Sequence, residues 1–123
     1  MSAPTFRHKA FDQYKAHRPP PPPELPPQID HVRRLMEGFG VPVFDQKGYE
    51  ADDVLGTLCR QAEEKQIETI VLTGDTDELQ LVSPLVRVLM SYGVQGRTLY
   101  DVTAVRERYG GLGPEAVPDL KAL

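Results

Sequence analysis

Apolar residues along the 123-residue chain change period several times, and each change predicts an element. Thr5 to Lys15 places Phe6, Ala10, Phe11 and Tyr14 on adjoining faces of a short helix. Pro19 to Pro23, followed by Pro26 and Pro27, fixes φ and removes donors, so it reads as a stiff polyproline connector that ends this helix. From Gln28 to Phe39, Ile29, Val32, Met36 and Phe39 recur at helical spacing, with Gly38 and Gly40 as the stop. Val41 to Phe44 reads as a short strand. Gly48-Tyr49-Glu50 opens a second long helix with Val54, Leu55, Leu58, Cys59 and Ala62 on its apolar stripe.

Beyond that helix, Glu68 to Thr73 is a continuous apolar run, the signature of a strand buried on both faces. Asp77 to Leu81 predicts a short helix capped by Asp77, with Glu78 as a solvated helix residue. Val86 to Met90 is a further strand, 91–96 a turn, and Arg97 to Val102 a strand returning antiparallel. Thr103 caps a helix to Tyr109, Gly110 and Gly111 stop it, and Pro118 to Leu123 begins one more. Alternating helices and strands predict an α/β layer, a mainly parallel sheet flanked by helices.

Composition narrows the function classes. The chain is 40% hydrophobic and 26% charged, as globular domains are, with no apolar stretch long enough to span a membrane and no secretory leader pattern. A single cysteine, Cys59, excludes an internal disulfide and a cysteine-based zinc cage, and suits a reducing cytoplasm. The net charge of −4 counts, at first sight, against a nucleic-acid partner. Its distribution reverses that reading. Residues 1–37 hold six basic and four acidic side chains, whereas residues 38–123 hold eight basic and fourteen acidic. A basic, aromatic-bearing start therefore precedes an acidic body, the pattern of a phosphate-contacting arm beside a metal-binding centre.

Two acidic motifs carry the candidate chemistry. Glu50-Ala51-Asp52-Asp53 opens a helix, where carboxylates also favour the helix dipole. Thr73-Gly74-Asp75-Thr76-Asp77 follows a buried strand directly, and in open parallel sheets the reactive crevice lies outside the carboxyl ends of strands. If both motifs meet at one rim of the sheet, Glu50, Asp52, Asp53, Asp75 and Asp77 repel one another unless a divalent cation joins them. An all-carboxylate set selects Mg²⁺ or Mn²⁺ over zinc and points to phosphodiester chemistry.

Four segments together carry a resemblance. Pro4-Thr5-Phe6-Arg7-His8-Lys9, Tyr14-Lys15-Ala16-His17-Arg18, Gly48-Tyr49-Glu50-Ala51-Asp52-Asp53-Val54-Leu55 and Leu72-Thr73-Gly74-Asp75-Thr76-Asp77 resemble the 5′→3′ exonuclease domain of bacterial DNA polymerase I, of the flap endonuclease family. The resemblance implies a Rossmann-like, PIN-like 5′ nuclease core, here incomplete. It divides the chain into a basic arch-proximal helix at 1–18, a proline-rich connector at 19–27 and a partial α/β core at 28–123. It also implies Mg²⁺-dependent (or Mn²⁺-dependent) two-metal hydrolysis of DNA at 5′ ends, flaps and nicks, alongside a DNA polymerase domain encoded elsewhere. Glu50, Asp52, Asp53, Asp75 and Asp77 match the metal ligands, Lys15 and Arg18 the residues that engage the scissile phosphate, and Arg7 a contact to the DNA backbone. Tyr14 stacks on a base or packs in the core. Further family aspartates, before and after the matched motifs, have no counterpart here, so the expected activity is reduced. The competing expectation is a non-catalytic DNA-binding remnant. A phospho-receiver module, the third reading, leaves the Tyr14–Arg18 segment unexplained.

Overall fold

A computed structural model gives the fold over residues 5–11, 13–16 and 19–123. The chain divides into two compact units, Met1–Val54 and Leu55–Leu123.

In the first unit, the opening helix is shorter than its apolar pattern predicts. Helix α1 covers only Phe6–Ala10, with turns at 13–16. Thr5 is buried at its start and donates its backbone N–H to His8 Nδ1 at 3.1 Å. Residues 19–22 are irregular, as the proline run requires, and helix α2 then runs over Leu25–Gly38. It therefore begins earlier than the apolar spacing indicates. Pro26 and Pro27 lie in its first turn, where a missing N–H leaves no intrahelical bond unmade. None of its residues is buried. Val41 to Phe44 does not form the expected strand, being irregular and exposed. No neighbouring strand pairs with it among the described residues, and Pro42 removes a ladder donor.

Helix α3, Ala51–Glu64, begins in the first unit and continues into the second. The second unit holds a small mixed sheet of β1 (Thr69–Thr73), β2 (Val86–Ser91) and β3 (Arg97–Tyr100). The order is β1-β2-β3, with β1 parallel to β2 and β3 returning antiparallel as its sequence predicts. A 3₁₀ helix at Thr76–Leu81 follows β1, and α4 (Val102–Arg108) and α5 (Val117–Ala122) complete the unit. Asp101, not Thr103, caps α4, accepting from the Ala104 N–H at 2.8 Å.

One face of the sheet carries the core. Val71, Val86, Val88, Met90 and Tyr100 are buried there with Cys59, Leu79, Val82, Val105 and Val117. Strand β1 is buried on this face alone: Val71 is inside, while Ile70 and Leu72 are 56% and 64% exposed on the other side. Glu78 is the second departure. It is only 2% exposed, set in the 3₁₀ helix directly before the fully buried Leu79. No helix among the described residues is long and apolar enough to cross a membrane.

Candidate functional site

The first acidic motif forms at the start of α3, where free N–H groups favour anions. Glu50 occupies the cap position, and the Asp53 carboxylate reaches back to accept its backbone N–H at 2.9 Å. The same carboxylate receives both terminal nitrogens of Arg7, at 2.6 and 2.7 Å, a bidentate fork. That hydrogen bonding holds the Asp53 carboxyl down at about 2 and pushes the Arg7 guanidinium above its ordinary range.

Glu50 has its own cation. Lys15 Nζ lies 2.7 Å from Glu50 Oε1, and the Tyr14 hydroxyl donates to Oε2 at 3.3 Å. Partial burial pushes the Glu50 carboxyl up, but the Lys15 bond and charge outweigh it and the net shift is downward. The Glu50 hydrogen bond raises the Lys15 ammonium. Lys15 reaches this position from a left-handed backbone, φ 56°, which disfavours a side chain by about 1–2 kcal/mol. Tyr14 stands edge-on to His8 at 5.2 Å, and Lys15 lies over the Tyr14 ring at 5.1 Å. Asp52 is exposed in the first turn, without an ion-pair partner among the described residues.

In the second unit, the backbone leaves the carboxyl end of β1 at Gly74 and turns at Asp75. Asp75 caps the 3₁₀ helix by accepting the Asp77 N–H at 2.9 Å, the role that the sequence gives to Asp77. Asp77 instead pairs with Lys121 at 2.9 Å, and Lys121 also donates to the Thr76 hydroxyl at 2.7 Å. The bond to Asp77 raises the Lys121 ammonium. Sequence reasoning passed over Lys121, since a contact spanning 44 positions leaves no local pattern.

The structure therefore presents the candidate residues as two groups, Arg7, Tyr14, Lys15, Glu50, Asp52 and Asp53 in the first unit and Asp75 and Asp77 in the second. Arg18, with Asp12, His17 and residues 1–4, lies outside the described residues. The donor chemistry fits a hard divalent cation, since the candidate ligands are all carboxylates. Within neither unit, however, do three His, Cys, Asp or Glu side chains of the described residues come together as a metal cage. Three of the five carboxylates carry an ammonium or guanidinium partner instead.

Residues 1–110 match the family of the 5′-3′ exonuclease N-terminal resolvase-like domain. The chain is 46% identical over 122 residues to DNA polymerase I of Chloroflexus aurantiacus, covering 97% of this chain and 13% of the polymerase. It is 44% identical over 120 residues to DNA polymerase I of Bacillus caldotenax, covering 97% and 14%. Its fold is similar to that of the T5 D15 protein, co-crystallised with metal ions, at a TM-score of 0.75 and 21% identity. That likeness covers 98% of this chain and 48% of the T5 protein.

Proposed function

This chain belongs to the 5′-3′ exonuclease family, by its N-terminal resolvase-like domain, and on that premise we propose that it acts on DNA as a metal-dependent 5′ nuclease. The observation that carries the reading is the pair Asp75 and Asp77 at the carboxyl end of a parallel strand, inside the segment matched to the family. The substrates are DNA 5′ ends, flaps and nicks. The relatives' name suggests a DNA polymerase domain as the associated partner, and the single cysteine suits a reducing cytoplasm.

Glu50, Asp52 and Asp53 in the first unit, and Asp75 and Asp77 in the second, are each carboxylate donors suited to Mg²⁺ or Mn²⁺, which when bound would supply an activated water and a stabilised leaving oxygen. The remaining tasks fall to basic and aromatic side chains. Lys15 and Arg18 engage the scissile phosphate, and Arg7 binds the DNA backbone. Arg7 and Lys15 now neutralise Asp53 and Glu50. A phosphate offers each of them an alternative anion, so DNA binding and release of the two carboxylates are coupled. Tyr14, tied to Glu50 and edge-on to His8, offers a ring face to an unpaired base at a flap junction. Lys121 is the counter-cation of Asp77.

Cleavage of a 5′-flap duplex in Mg²⁺ or Mn²⁺ tests the proposal, comparing the chain with an Asp75→Ala, Asp77→Ala variant. The variant is expected to lose more than the ~10–100-fold that removal of an outer-shell partner costs. Equal cleavage by both proteins would overturn the assignment. The second reading, DNA binding without hydrolysis, is favoured by the absence of a three-residue acidic cage within either unit of the described residues. It predicts salt-sensitive binding of branched DNA that survives loss of Asp75 and Asp77, with no cut product.

A further inference from the structure

Asp75 and Asp77 leave the same strand end, but different groups hold their carboxylates. The Asp75 carboxylate accepts the Asp77 backbone N–H at 2.9 Å, so the main chain fixes it. Asp77 Oδ1 faces the Lys121 ammonium, 2.9 Å away, which arrives from α5. Lys121 Nζ also donates to the Thr76 hydroxyl at 2.7 Å, so two neighbouring side chains of the motif bind it.

The helix that carries Lys121 is itself anchored. Val117, its first residue, is buried in one core with Leu79 of the 3₁₀ helix, and the two helices pack together. Lys121 lies four positions after Val117 and shares its face, which turns the ammonium toward the 3₁₀ helix that bears Asp77. All of these residues belong to the second unit, and the contacts are ones that they make with each other.

We propose that Lys121 is a positioning residue with an exchangeable place: its ammonium holds the Asp77 carboxylate until a divalent cation displaces it, so ammonium and metal compete for Asp77. The inference rests on the reading of Asp77 as a metal donor. Without a cation, Asp75 and Asp77 repel each other, and Lys121 offsets that repulsion while the site is empty of metal. A carboxylate has lone pairs for both cations, but their positive charges then repel at short range. The four-carbon lysine stem is flexible, so the ammonium leaves Asp77 while α5 stays in place. Thr76 sets how firmly the ammonium is held, because its oxygen adds a bond without adding charge. Lys121 thus differs from Arg7 and Lys15, whose carboxylate partners are exchanged against a phosphate rather than a metal.

The test is Mn²⁺ binding by the full chain without DNA, read as free Mn²⁺ by electron paramagnetic resonance, together with the Lys121 side-chain NMR signals through a Mg²⁺ titration. Lys121→Met is expected to bind Mn²⁺ more tightly by up to about fivefold, the competition that an ion pair of this exposure offers. Thr76→Val, which loosens the ammonium at constant charge, is expected to shift affinity the same way by less. In the wild type the Lys121 signals are expected to move from restrained to mobile as Mg²⁺ saturates, with circular dichroism unchanged in both variants. Weaker or unchanged Mn²⁺ binding by Lys121→Met, or Lys121 signals indifferent to Mg²⁺, would overturn the proposal. So would tighter binding by Lys121→Met with none by Thr76→Val, which reduces the effect to long-range charge. Asp77→Asn separates this inference from the reading beneath it. If Asp77→Asn weakens Mn²⁺ binding while the Lys121 and Thr76 variants leave it unchanged, the metal reading stands and the exchange alone falls. If Asp77→Asn binds as the wild type does, or no protein binds Mn²⁺, both fall.

Discussion

At the scale of single residues, the acidic positions were legible because their chemistry is local. Glu50 and Asp53 share a helix start, and Asp75 and Asp77 follow a strand end. What the sequence hid were the partners, Arg7 for Asp53 and Lys121 for Asp77, which only tertiary folding supplies. Glu78 was misread for the same reason, since the packing that buries it is tertiary and leaves no local pattern. Cys59 was read correctly as a core residue on the α3 stripe. Burial first, then Glu78 and Glu63, pushes its thiol up, so less thiolate is present at any given pH. Its alkylation is therefore expected to stay slow in the native protein and to rise only at a pH above the ordinary thiol range, or on addition of denaturant. Rapid native labelling at neutral pH would contradict that burial. Leu79, fully buried in the same core, gives a stability test: Leu79→Ala is expected to cost about 2–5 kcal/mol in urea unfolding. Lys121→Ala removes a pair whose two side chains are each roughly half exposed, and is expected to cost less than about 1 kcal/mol.

At the scale of elements, the long helices and the sheet strands were legible, whereas the short segments of the first unit, the opening helix and Val41 to Phe44, were not. The α3 helix and all three strands of the sheet follow their patterns to within a few residues. Val41 to Phe44 had the composition of a strand but no pairing partner among the described residues, and hydrogen bonding rather than propensity makes a strand. Caps shifted by two positions, from Asp77 to Asp75 and from Thr103 to Asp101, because each aspartate precedes the turn that it closes. Asp101 caps without being a candidate ligand and isolates the effect: Asp101→Ala is expected to destabilise the fold by about 1 kcal/mol, and Asp101→Asn by much less. Asp75 caps as well, so Asp75→Ala removes both a cap and a candidate ligand. Asp75→Asn keeps the capping oxygen and removes only the charge.

At the scale of the whole molecule, net charge was the least informative quantity and its distribution the most. The acidic excess lies in the part that carries the candidate ligands, and the basic excess lies where DNA contact is proposed. The mixed α/β character and the antiparallel return of β3 were legible, whereas the one-sided burial of β1 was not. A continuous apolar run looks the same whether its second face is covered or open. The chain spans about one-seventh of the polymerases it resembles and 48% of the T5 protein, so their whole activities come to it only as proposals. The decisive measurement is strand polarity with one preparation: 5′-flap and 3′-flap duplexes in Mn²⁺, against the Asp75→Asn, Asp77→Asn variant. The account predicts cutting of the 5′ flap alone, abolished by a chelator and lost in the variant. Equal cutting of both flaps, or 5′-flap cutting that persists in the variant, would contradict it.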